Sequence, residues 1–262
     1  MKLPDAARPA LPASFLRLPV THRALHDRTQ GRIENSPAAI RAAVAAGYAI
    51  EVDVQMSADG RAMVFHDDTL DRLTAEQGPV SARSAAALGQ IALTGGSDTI
   101  PTLEAVLDLV AGRVPLLIEI KDQTGSMGQT DGRLEAAVAQ ALAGYAGDVA
   151  VMSFNPNSVA QMARLAPDIA RGLTTSSYDP EDWAPVPPEV CARLREIPDF
   201  DRVAASFISH QGNDLTRARV LELRAAGVPV LCWTIRSPDQ EAVARQIAHN
   251  VTFEGYLSAI PA

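Results

Sequence analysis

The chain has 262 residues, 31 acidic and 23 basic, giving a net charge of −8, and 47% of it is hydrophobic. The acidic balance argues against a nucleic-acid binder, which needs clustered Lys and Arg, and no basic stripe with interleaved aromatics is present. Two distant cysteines, Cys191 and Cys232, make neither a disulfide framework nor a zinc site, and no apolar run reaches membrane-spanning length, so a soluble cytoplasmic protein is expected.

Residues 1–15 read as an irregular Pro-rich lead-in, and 16–21 as a short apolar strand ending at His22-Arg23. Ser36-Pro37 opens a helix, with Ser as cap and Pro at the first helical position, and Gly47 stops it. Residues 48–55 form the second strand. Asp59-Gly60 then turns the chain into an extended run, 62–65, ending at His66. From 67 to 99 the pattern weakens, which predicts an insertion over one end of the core with a small helix near 84–88. Thr102 caps a helix carrying Leu103, Val106, Leu107 and Val110, and a strand at 115–120 follows.

The alternation afterwards is regular. Strands are predicted at 149–153, 169–173, 203–209, 228–233 and 251–257, with helices between them and a longer loop, carrying one set of helical turns, over 178–198. Eight strands alternating with helices at this length predict an α/β protein, a (β/α)8 TIM barrel forming one domain over 1–262. A doubly wound open sheet is the structural rival, but no strand leads into a Gly-rich phosphate loop.

Barrel enzymes carry their chemistry at the C-terminal ends of the strands. Those ends hold His22 and Arg23, then Glu51 and Asp53, then Glu119 and Lys121, with His66 closing the extended return. Side chains alternate across a strand, so Glu51 and Asp53 share one face, and so do Glu119 and Lys121. Neighbouring carboxylates in a partly buried setting need a positive charge to compensate them. Three hard oxygen ligands without Cys suit Mg2+ or Ca2+. Arg23 and Lys121 can hold an anionic, phosphorylated small-molecule substrate, and His22 and His66 supply a base and an acid near neutral pH. Together these groups describe phosphodiester cleavage.

Several runs in order resemble the glycerophosphodiester phosphodiesterase family: His22-Arg23 … Glu34-Asn35, Ile50-Glu51-Val52-Asp53-Val54-Gln55, His66-Asp67-Asp68-Thr69-Leu70-Asp71-Arg72, Pro101-Thr102-Leu103-Glu104 and Ile118-Glu119-Ile120-Lys121. Ser153-Phe154 and Cys232-Trp233-Thr234 look like its later strand motifs. The resemblance implies a barrel with an insertion after strand two, and hydrolysis of a glycerophosphodiester to glycerol 3-phosphate and an alcohol. It implies Glu51, Asp53 and Glu119 as metal ligands, His22 as base, His66 as acid, and Arg23 and Lys121 as phosphate ligands. Trp233 would pack against the glycerol, and Glu34 would orient the His22-Arg23 pair. A cyclic phosphate intermediate is part of the implied mechanism.

The chain departs from the family at Ala24, where glycine is usual. A longer loop carries His26-Asp27-Arg28, and the final strand reads Phe253-Glu254-Gly255-Tyr256. These changes bear on substrate identity, and Glu254 is a further candidate acid at the mouth. His26, His210 and His249 lie outside the motifs, with loop or solvent roles expected. Rival readings are a phospholipase D-like lyase that stops at the cyclic phosphate, a non-catalytic barrel binding a phosphorylated ligand, and a glycosidase using paired carboxylates. The last leaves two histidines and Lys121 without a task.

Overall fold

The caps predicted at the starts of two helices, Ser36 and Thr102, are present, and three more helices are capped by a side chain. Ser36, Ser84, Thr102, Asn155 and Ser237 each accept a backbone N–H from two or three residues ahead, a contribution of about 1 kcal/mol apiece. The computed structural model describes residues 8–261, so the first seven residues of the lead-in lie outside the described residues.

In chain order the elements are α1 (Ser14–Arg17), β1 (Val20–Thr21), α2 (Pro37–Ala46), β2 (Ala49–Met56), β3 (Ala62–Val64), α3 (Ala85–Leu88), α4 (Leu103–Val110), β4 (Leu116–Ile120), α5 (Arg133–Leu142) and β5 (Val149–Ser153). There follow α6 (Pro156–Leu165), β6 (Ala170–Thr175), α7 (Pro188–Arg195), β7 (Phe207–Gln211), α8 (Ala218–Ala225), β8 (Val230–Ile235), α9 (Pro238–Ala244) and β9 (Asn250–Phe253). All strands except β3 pair in parallel, and β1 sits between β9 and β2, which closes an eight-stranded barrel with helices between the strands. β3 runs antiparallel along β2. Among the described residues, no helix is long and apolar enough to cross a membrane.

Alternation along the strands sorts their side chains into two layers. Ile50, Val52 and Val54 of β2 and Leu116, Ile118 and Ile120 of β4 face outward into the layer under α2, α4 and α5. The opposite face fills the barrel floor with Val20, Ala49, Leu117, Ala150, Met152, Ala170, Phe207 and Leu231, closed from below by Leu11 and Phe15. Asn250 fastens this plug by donating to the Phe15 and Leu18 carbonyls at 2.7 Å. Between β3 and α4, Leu70, Leu73, Val80, Leu88 and Leu93 pack with Met63 and Phe65 as a separate small cluster.

Three predicted segments shift. The apolar run at 16–21 is only at its end a strand: Leu16 and Leu18 pack against the barrel floor around α1, so the segment is apolar because it plugs the barrel. The strand expected at 203–209 begins at Phe207, because Val203 and Ala205 are buried in the preceding turn, where Ala204 takes a φ of 49°. The last strand ends at Phe253 rather than 257.

Candidate active site

Two strands carry their inward faces from hydrocarbon to charge. On β2 the inward row climbs from Ala49 to Glu51 and Asp53; on β4 it climbs from Leu117 to Glu119, and Lys121 follows just past the strand. The strands pair with Asp53 opposite Glu119. One carboxylate oxygen from each of Glu51, Asp53 and Glu119 lies within 4.8 Å of the others, and all three residues are buried.

The electrostatics separate the three acids. Burial, reinforced by the Asp53 and Glu119 charges, pushes Glu51 well above the ordinary carboxylate range, although it accepts the Arg23 backbone N–H at 2.7 Å. Asp53 goes the other way: burial would raise it, but Lys121, His66 and Arg23 outweigh burial and hold it down. Lys121 places Nζ 2.6 Å from Glu119 and 2.7 Å from Asp53, and those carboxylates outweigh burial and keep it protonated. Asn35 fixes Asp53 from behind, donating to Oδ2 at 2.9 Å and accepting the Asp53 backbone N–H at 3.2 Å. Two oxygens on one Mg2+ or Ca2+ sit no more than about 5 Å apart. The three carboxylates therefore fit a hard divalent cation, and Glu51 carries the charge conflict such an ion would relieve.

His22 and His66 are each tied through Nδ1, which leaves Nε2 available. His22, directly after β1, pairs Nδ1 with Glu254 Oε2 at 2.6 Å, and Arg236 Nε holds the other Glu254 oxygen at 2.8 Å. Burial lowers the His22 pKa below 6.5, with Glu254 partly opposing it. The hydrogen bond from His22, with help from His26 and Arg236, in turn holds Glu254 far below the usual carboxylate range. His66 pairs Nδ1 with Asp67 Oδ1 at 2.7 Å. Arg72 grips Asp67 at 2.6 and 2.8 Å and Glu34 at 2.9 and 2.8 Å, and Glu34 takes a bond from Arg23 at 2.7 Å. Burial would raise Glu34, but Arg72 and Arg23 bring it down to about 2.

These groups face a cavity of about 160 Å³, lined by His22, Arg23, Glu51, Asp53, His66, Glu119, Lys121, Trp233 and, among others, Phe154, Thr234 and Arg236. Trp233 donates its indole N–H to the Ser209 carbonyl at 3.0 Å and meets Phe154 edge-on at 5.4 Å, which makes an aromatic wall. Of the predicted site residues, Glu34 alone stands back from the cavity, bonded to Arg23. Arg23 and Ala24 take φ of 51° and 64°, so a usual glycine position is filled here by alanine in a left-handed turn that aims the Arg23 N–H at Glu51.

Sequence alone assigns no task to Asp67, Arg72, Asn35, Phe154 or Arg236. Asp67 had a signal in its place beside His66. Glu254 was a candidate, but its pairing with His22 joins the two ends of the chain and left no local trace. His210 is neither in a loop nor in solvent. It is buried in β7, 2.8 Å from Thr175 Oγ1 and 3.1 Å from Asp214. His249 accepts the Val230 backbone N–H at 3.0 Å.

A model of the glycerophosphoryl diester phosphodiesterase family matches residues 22–252. YhdW of Bacillus subtilis (strain 168) is 28% identical over 222 residues, 81% of this chain and 82% of that protein. A glycerophosphodiester phosphodiesterase of Caldanaerobacter subterraneus subsp. tengcongensis is 30% identical over 159 residues, 57% of this chain and 64% of that protein. A solved phosphodiesterase of Oleispira antarctica, in complex with sn-glycerol-3-phosphate, has the same fold with a TM-score of 0.73 at 24% identity, over 90% of this chain and 93% of that one. The glycerophosphodiester phosphodiesterase of Agrobacterium tumefaciens str. C58 gives a TM-score of 0.65 at 25% identity, over 89% and 94%. Sequence and barrel agree: the chain belongs to the glycerophosphoryl diester phosphodiesterase family and is an enzyme of that class.

Proposed function

We propose that the protein hydrolyses small glycerophosphodiesters to glycerol 3-phosphate and an alcohol, using one divalent cation, Mg2+ or Ca2+, held by Glu51, Asp53 and Glu119. When bound, the ion supplies Lewis-acid stabilisation of charge on the non-bridging phosphoryl oxygens. Arg23 and Lys121 clamp the phosphate, Lys121 turning from the carboxylates it now bridges, and Trp233 with Phe154 packs the glycerol carbons. His22 Nε2 takes the proton of the glycerol 2-hydroxyl as that oxygen attacks phosphorus in line. His66 Nε2 gives its proton to the departing alcohol oxygen. Water then opens the cyclic phosphate with the roles reversed: His66 accepts the water proton and His22 returns its proton to the 2-oxygen.

The observation that carries this reading is the three-carboxylate cluster, its ligand oxygens within 4.8 Å, in one cavity with two imidazoles each anchored by an acid through Nδ1. In the same reading the whole chain acts as one domain. Residues 67–99 form an insertion that brings Asp67 and Arg72 to the mouth. A cytoplasmic location accords with Cys191 and Cys232, both free and buried.

The test is a panel of glycerophosphodiesters followed by phosphorus NMR, with and without chelator. Glycerol 3-phosphate should accumulate, chelator should abolish turnover, and Mg2+ or Ca2+ should restore it. Full activity in excess chelator sinks the metal site, and a cyclic phosphate as the final product sinks the hydrolytic second step.

A further inference from the structure

The flank of His22 facing away from the carboxylates carries a second set of metal-ligating atoms. After the left-handed turn at Arg23 and Ala24, the His26 backbone N–H bonds back to the Ala24 carbonyl at 2.9 Å, which brings the His26 ring alongside Glu254. His26 Nε2 lies 3.5 Å from Glu254 Oε2, the same oxygen that meets His22 Nδ1 at 2.6 Å. One ligand atom from each of His22, His26 and Glu254 falls within 4.8 Å of the others. His26 Nε2 is buried and makes no hydrogen bond of good geometry beyond that 3.5 Å approach to Glu254. Arg236, on Oε1, turns Oε2 of Glu254 toward the imidazoles. His26 and Glu254 also line a separate groove of about 420 Å³ beside the mouth, so an ion can arrive without crossing the catalytic cavity.

We propose that His22, His26 and Glu254 form a Zn2+ site that switches the enzyme off by taking His22 as a ligand. Two imidazoles and one carboxylate suit zinc, whereas the all-oxygen set of Glu51, Asp53 and Glu119 suits Mg2+ or Ca2+, so the two sites sort ions by ligand chemistry. Ligands about 2.1 Å from a tetrahedral zinc lie about 3.4 Å apart. The His26–Glu254 pair already has that spacing, and the His22–Glu254 contact needs to open by less than 1 Å, a small rotation of the carboxylate. Coordination through Nδ1 displaces the proton now shared with Glu254. The neutral ring keeps its one proton, which then resides on Nε2, the atom that must be free to accept the substrate proton.

Zinc binding itself is independent of the catalytic role given to His22, and the inhibition rests on that role. Calorimetric titration of Zn2+ into protein saturated with Mg2+ should show one site in the wild type and at least tenfold weaker binding in His26→Ala. Because His26 lies 3.5 Å from Glu254, inhibition is read within each protein as the ratio of turnover with and without Zn2+: it should fall in the wild type, and His26→Ala should need at least tenfold more Zn2+ for the same fall. Co2+ in place of Zn2+ reads the ligands without mutation: the wild type should give the visible bands of a tetrahedral nitrogen-and-oxygen site. Equal Zn2+ affinity in both proteins, or absence of those bands, overturns the site. Tight Zn2+ binding with undiminished turnover overturns the switch. Zinc binding lost in His26→Ala, in protein that hydrolyses no glycerophosphodiester, supports this site and refutes the substrate reading above.

Discussion

At the floor of the barrel Ala49, Leu117, Ala150, Phe207 and Leu231 meet over Leu11 and Phe15. Two residues further along the same faces of β2 and β4 stand Glu51 and Glu119, buried among charges. One set of strands therefore builds two interiors held by opposite physics. The floor is held by dispersion and excluded water, which do not depend on pH. The mouth is held by charge compensation, in which each carboxylate is stable only through Lys121, a backbone N–H, Asn35 or a bound cation. Substitutions at the floor should therefore cost stability and spare chemistry, and substitutions at the mouth should do the reverse.

The strongest test of that division is at the histidines. His22→Ala and His66→Ala should each lower kcat by roughly 10²–10⁴-fold, with thermal midpoints close to wild type. Wild-type turnover in either variant removes that residue from the mechanism. Glu254→Gln should come next, lowering kcat by about 10–100-fold, the scale for a group that orients a reacting imidazole. Its pH profile carries the sign. The base must be neutral, burial already holds His22 below 6.5, and Glu254 opposes burial, so removing its charge should move the acid limb to lower pH. An unmoved limb would mean Glu254 does not act through His22.

The floor should answer differently. A Cβ on Gly172 of β6 would stand 2.4 Å from the Phe207 ring, so Gly172→Ala should destabilise by about 1–3 kcal/mol, measured by denaturant unfolding. Activity per folded molecule should stay the same. The smallest stability effect belongs to Glu51→Gln in chelator. Glu51 has its folded pKa raised above 4.5, so the folded chain keeps a proton that the unfolded chain gives up. Stability should decline as pH rises through that window. The amide should remove the decline and lift the midpoint by a few degrees at neutral pH, and with Mg2+ restored the variant should stay inactive. A flat wild-type profile would mean that the mouth is not under charge stress.

Local chemistry made much of this readable in the sequence. The caps at Ser36, Thr102 and Ser237 mark helix starts, and alternation puts Glu51 with Asp53 and Glu119 with Lys121. The barrel followed from the repeat of strand and helix. Those features depend on neighbours a few residues apart, so the chain itself carries them. What only the tertiary structure decided is how distant segments meet. Barrel closure sets Asp53 beside Glu119 and brings Glu254 from the last strand onto His22 from the first. The segment after β3 lets Arg72 join Asp67 to Glu34, and the turn after Arg23 delivers His26 to Glu254. It also turned the apolar run before β1 into a floor plug, because an apolar segment buries itself wherever closure leaves a cavity. The sequence determined which groups could do chemistry, and the closed sheet, by fixing distances across hundreds of residues, determined which of them work on one another.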